Sequence, residues 1–106
     1  MLVFYFPKKN HTELKIIMNE ADTILFKRSS YFTYQLQNNA NKVNFCLKSS
    51  WNELCDSIVL GRHQDYHFEV NLKKDGAINC DRIQDPKVIE KYNRWIKQGT
   101  MKELKR

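Results

Sequence analysis

The stretch LGRHQDYHFEVNLKKDGAINCDRI, residues 60–83, constrains the fold more than any other part of the chain. Tyr66, Phe68, Val70 and Leu72 alternate there with His67, Glu69, Asn71 and Lys73, the period of a strand with one face in a core and the other in water. Ile78 and Cys80 supply a return strand. A Lys74-Asp75-Gly76 loop with Gly76 in the left-handed region sets Leu72 opposite Ile78 and Val70 opposite Cys80. A tighter Asp-Gly turn would set Leu72 against Asn79 and Val70 against Asp81, mixing apolar and polar faces, so the longer loop is predicted.

The same register places Glu69 directly opposite Asp81 on the wet face, with His67 and the Asn71 and Asn79 pair beside them. Like charges so placed repel and need relief. Solvation with help from Arg82, Lys73 or a third strand is the ordinary resolution. A metal or acid/base site using His67, Glu69 and Asp81 is the alternative.

Elsewhere the pattern predicts an α+β domain. Residues 2–6, LVFYF, form a continuous apolar run, as in a central strand covered on both faces, and Pro7 stops it. Asn10 with Glu13 reads as a helix start, and Leu14, Ile17, Met18 and Ala21 make a helical stripe over residues 11–21. Residues 23–27 and 31–37 read as a hairpin turning at Arg28, Ser29 and Ser30, and residues 43–47 as a further strand. Ser50 with Glu53 forms a capping-box pattern, Trp51, Leu54, Cys55, Ile58 and Val59 form a stripe, and Gly61 closes a second helix. Asp85 and Pro86 open a third, residues 86–98, with the stripe Val88, Ile89, Tyr92, Trp95 and Ile96 and a stop at Gly99.

The expected architecture is therefore a two-layer fold with a mainly antiparallel sheet of about six strands and helices on one face, in the order strand, helix, strand, strand, strand, helix, strand, strand, helix. Residues 2–37 and 43–82 repeat strand, helix and hairpin, a structural pseudo-repeat within a single domain spanning residues 1–106. The other sheet face is expected to be open, presenting Tyr31, Thr33, Gln35, Asn44, His67, Asn71 and Asn79.

Composition limits the function classes. Hydrophobic residues at 42%, with six Phe, five Tyr and two Trp, support a packed core, and only three Gly and two Pro argue against disorder. Cys46, Cys55 and Cys80 form no close pair and read as small reduced core residues, which with the lack of a leader pattern implies a cytoplasmic protein. No run approaches the length of a membrane span. Eighteen Lys and Arg against twelve Asp and Glu give a net charge of +6, suited to a polyanionic partner. The cations gather before expected helix starts (Lys8, Lys9, Lys48) and in hairpin turns (Lys27, Arg28, Lys73, Lys74), and these seven are the predicted phosphate-binding residues.

Three functions follow as expectations. The first is a small basic binding domain engaging RNA or DNA phosphates. The second is a protein-binding inhibitor or adaptor of phage or mobile-element type acting on a host factor, marked by an open sheet edge or an exposed aromatic patch. The third is a metal-independent ribonuclease or toxin using His63 and His67 with Arg62, Tyr66 and Lys73, one group taking the 2'-hydroxyl proton and another protonating the leaving oxygen. No nucleotide-binding glycine loop, nucleophile elbow, zinc-protease helix or calcium loop occurs, and no cofactor is called for.

Overall fold

A computed structural model of the chain describes residues 1–7, 14–19, 22–26, 29–35, 42–59, 65–73 and 75–104. Among these are strands β1 (Leu2–Phe6), β2 (Leu14–Met18), β3 (Asp22–Phe26), β4 (Ser30–Tyr34), β5 (Lys42–Lys48), β6 (Glu53–Val59), β7 (Tyr66–Leu72) and β8 (Ile78–Ile83). A helix, α1 (Pro86–Lys97), and a short strand, β9 (Lys102–Glu103), complete them. The strands form two sheets, β8-β7-β1-β4-β9 and β3-β2-β5-β6. They are stacked with their apolar faces together.

This is a mostly β protein, and it corrects the expectation of an α+β fold with several helices on a single sheet. Strand β2 stands where the first helix was predicted. Its residues Leu14, Ile16 and Met18 are buried, while Lys15 and Ile17 face outward, so the alternation of a strand prevails over the helical spacing of Leu14, Ile17 and Met18. Strand β6 likewise replaces the second helix. Leu54 and Ile58 turn toward the core, and Glu53, Cys55, Ser57 and Val59 turn away from it. With both helices gone, the two halves share no strand, helix, hairpin order. The predicted hairpin of residues 23–37 is also replaced, because β3 pairs with β2 and β4 pairs with β1, in different sheets.

The apolar run of β1 lies at the centre of the five-stranded sheet, antiparallel to β4 and parallel to β7, and all five residues are buried. Leu2, Phe4 and Phe6 point between the sheets, where Phe4 meets Phe45 and Phe68 at ring separations of 5.3 Å. Each such buried side chain contributes about 1.5–3 kcal/mol of transfer free energy. Val3 and Tyr5 point the other way, into a second cluster with Tyr92 of α1 and Met101. The hairpin β7–β8 has the predicted register, with Leu72 opposite Ile78, Val70 opposite Cys80 and Glu69 opposite Asp81, and Gly76 takes φ +89° in its turn.

Helix α1 starts as its sequence dictates. Asp85 accepts a hydrogen bond from the Lys87 backbone N–H at 2.9 Å, Pro86 occupies the first helical position, and Arg94 and Lys97 sit favourably against the negative end of the helix dipole. After Gly99, at φ +76°, buried Met101 carries the chain back to pair with β4 through β9. Thus α1 covers the outer face of the five-stranded sheet, and among the described residues no element covers the outer face of the four-stranded sheet. No helix among the described residues is long and apolar enough to cross a membrane.

Candidate nucleic-acid interface

Two hairpin turns meet at one end of the sandwich. In the β5–β6 turn, residues 49–52, Ser49 Oγ accepts from the backbone N–H groups of Asn52 at 3.0 Å and Trp51 at 3.4 Å, and the Ser49 N–H donates to the Asn52 carbonyl. The side chain of Ser49 thereby shapes the loop that Ser50 and Glu53 were expected to shape as a helix start. Trp51 is left 76% exposed. In the β7–β8 turn, the Gly76 N–H donates to the Lys73 carbonyl and the Ala77 N–H to Asp75 Oδ1. Asn52 Nδ2 donates to the Gly76 carbonyl, and a methyl group at Gly76 would lie 3.5 Å from the Trp51 ring. Glycine is required there by its φ of +89° and by the 3.0 Å approach such a methyl group would make to Asn52 Nδ2, while the distance to the Trp51 ring is ordinary van der Waals contact.

Cations surround this junction. Lys48 ends β5 beside the Trp51 turn, and Lys73 begins the other turn. Lys15 of β2 lies directly opposite Lys48, a like-charge pair that costs free energy unless an anion relieves it. Glu53 reaches Lys48 at 3.8 Å, an exposed pair worth little. Among the described residues no carboxylate pairs with Lys15 or Lys73. Of the seven predicted phosphate-binding residues, Lys48 and Lys73 come together here, while Lys8, Lys9, Lys27, Arg28 and Lys74 lie outside the described residues.

The predicted catalytic and metal groups do not converge. Arg62 and His63 lie outside the described residues. Tyr66 and His67 are neighbours on β7 and face opposite sides. Tyr66 packs toward the core between the sheets under the Arg82 guanidinium, 4.0 Å from its ring centre, and His67 points toward the helix side. There His67 Nδ1 is 2.9 Å from the Tyr5 hydroxyl, and burial holds its pKa below the ordinary value, with Asp65 opposing. Glu69 receives hydrogen bonds from the Tyr92 hydroxyl and Asn71 Nδ2, so neutral donors relieve its position opposite Asp81. Among the described residues only Cys46, Glu53 and Cys55 bring three ligand atoms within 4.8 Å of one another, and the two sulfurs are bonded to each other.

That bond corrects the reading of three reduced core cysteines. Cys46 and Cys55 lie opposite each other on β5 and β6 and form a disulfide, while Cys80 is free and half-buried. The polar face expected to be open is corrected as well. Tyr31, Thr33, His67, Asn71 and Asn79 belong to the sheet face that α1 packs on, and Asn44 belongs to the open face of the other sheet. Trp51 and Lys15 were missed by sequence reasoning because both were assigned to helices. A Ser-Ser-Trp-Asn tetrapeptide between two alternating runs was the available signal for a turn.

No protein-family model, curated protein or solved structure matches this chain.

Proposed function

We propose that the chain is a small basic β-sandwich that binds single-stranded nucleic acid at the junction of its two hairpin turns. The observation that carries this reading is Trp51, an indole 76% exposed and seated on Gly76 between the turn at Lys48 and the turn at Lys73. Single strands are held by aromatic rings that stack on bases and by cations that follow the phosphates. Trp51 supplies the first, and Lys15, Lys48 and Lys73 supply the second. The net charge of +6 adds long-range attraction. In this reading the protein works in the cytoplasm.

The test is a fluorescence titration with unstructured RNA and DNA oligonucleotides at low salt. Stacking quenches Trp51, and Trp51→Ala weakens binding by about 1–3 kcal/mol. Lys15→Glu, Lys48→Glu and Lys73→Glu each weaken it across all sequences and reduce the salt dependence by about one phosphate contact. Undetectable affinity at low salt, or affinity indifferent to these changes, would remove the proposal.

A second reading is a protein-binding inhibitor or adaptor of phage or mobile-element type, favoured by β6, an edge strand carrying Val59 at 65% exposure. Open edges accept a partner's strand. Capture of a stoichiometric host polypeptide that survives nuclease treatment, and is lost with Val59→Lys, would put this reading first.

A further inference from the structure

The Cys46–Cys55 bond lies on the open face of the four-stranded sheet, in the row next to Lys15 and Lys48. Cys55 is exposed on the edge strand, and Cys46 is half-buried with Ile17 of β2 on its other side. An open cleft of about 510 Å³ runs beside the bond, lined also by Ile17, Asn44, Asp56 and Ser57. That is the size range of small-molecule sites. The bridge joins residues nine apart in a hairpin that its own turn and ladder already close, so it restricts the unfolded chain far less than a long-range bridge would. Its position suits reactivity better than reinforcement.

We propose that Cys46 and Cys55 form a thiol–disulfide exchange site for low-molecular-weight thiols, in which Cys55 is the sulfur attacked and Cys46 the sulfur that leaves. Three observations set this direction. A thiolate attacks a disulfide along the S–S axis, from the side away from the leaving sulfur. At Cys55 that side is the free edge of the sheet, whereas at Cys46 it is occupied by β2 and Ile17. Lys48, two residues along the same face of β5, and Lys15 opposite it stabilise negative charge on Cys46. Glu53 Oε1, 3.1 Å from Cys55 Sγ, disfavours negative charge on Cys55. A better-stabilised thiolate leaves faster.

The electrons balance over two steps. The incoming thiol gives its proton to solvent, its sulfur bonds to Cys55 Sγ, and the electron pair of the Cys46–Cys55 bond goes to Cys46 as a thiolate. A second small thiolate then attacks the adduct at its non-protein sulfur, the mixed disulfide breaks, and Cys55 leaves as a thiolate that takes up a proton. The protein gains two electrons and the small thiol becomes its own disulfide. This site does not depend on the nucleic-acid reading.

Reduced glutathione is the probe. The folded, oxidised full-length chain is incubated with it in native buffer, quenched with acid and alkylated, and the peptides are mapped by mass spectrometry. The expected result is a glutathione adduct on Cys55 with Cys46 free to alkylate, and no adduct on Cys80, a half-buried thiol that desolvation pushes up to about 12. Glu53→Gln, a conservative surface change, moves part of the wild-type adduct to Cys46. A bond that resists glutathione until the chain is unfolded, or a first adduct on Cys46, would overturn the proposal.

Discussion

The hydroxyl of Tyr92, on α1, donates a hydrogen bond to Glu69 Oε2 on β7, across the boundary between the helix and the five-stranded sheet. Glu69 Oε1 takes a second hydrogen bond from Asn71 Nδ2, and the Tyr92 ring lies nearly parallel to that of Tyr5 at 4.6 Å. A single buried side chain therefore joins the apolar packing of the helix to the polar centre of the sheet.

Removing only the hydroxyl separates these roles. Tyr92→Phe keeps the ring contacts but takes a donor from a partly buried carboxylate, and is expected to cost about 1–3 kcal/mol. Tyr92→Ala removes the packing as well and is expected to cost about 3–5 kcal/mol. Urea unfolding of the two variants checks the order.

His67 makes stability fall on mild acidification. Its pKa is lowered by burial, so below the ordinary value of 6.5 the unfolded chain binds a proton that the folded chain does not. Its contribution is fully present above that value and is lost as pH falls from it toward the folded pKa. His67→Gln flattens this part of the profile, which thermal unfolding between neutral pH and mild acid measures.

The tyrosines act at the opposite end. Burial raises Tyr5 from 10.0 to about 12, and raises Tyr92 further with the help of its hydrogen bond to Glu69. Tyr31 is raised as well, by burial and by Glu103. Their stabilising contribution is complete below the ordinary value and declines as pH rises from 10.0 through about 12, where the unfolded chain ionises first. Absorbance of phenolate in the folded protein shows these three of the five tyrosines lagging behind free tyrosine.

Gly76 holds the two turns together. At φ +89°, with a new methyl group 3.0 Å from Asn52 Nδ2, Gly76→Ala is expected to destabilise by about 1–3 kcal/mol. Asn52→Ala removes the cross-turn hydrogen bond and is expected to cost about 0.5–1.5 kcal/mol. Both should also change the emission of Trp51, which reports on the junction without any ligand.

Elements with local signals were legible in the sequence. The β7–β8 register followed from alternation and Gly76, and α1 followed from Asp85, Pro86 and its stripe, because the information for each lies within a few residues. Strands β2 and β6 were not legible. Leu14, Ile16, Ile17 and Met18 satisfy both periods, whereas Trp51, Leu54, Cys55 and Ile58 fit the helical one alone, and what decides in both cases is β5, which pairs with both strands. The turn before Ser30 was visible, but not its passage from one sheet to the other. The site was readable in part for the same reason. Lys48 and Lys73 stood out as cations near turns, whereas Trp51, Lys15 and the Cys46–Cys55 bond acquire meaning only once β5 and β6 are known to be neighbours.

The central place of β1 carries a consequence for how the chain reaches this state. During synthesis LVFYF emerges before β4 and well before β7, its two partners, so an apolar segment with no charged residue waits with its edges unpaired. Strands β2, β3, β5 and β6 all precede β7 in the chain and can assemble before the second edge of β1 is filled. A short uncharged β-forming segment of this kind is an aggregation hazard until it is covered. Folding yield should therefore be set by how quickly the two flanks of β1 are occupied, and an agent that occupies them transiently would raise that yield without touching the finished protein.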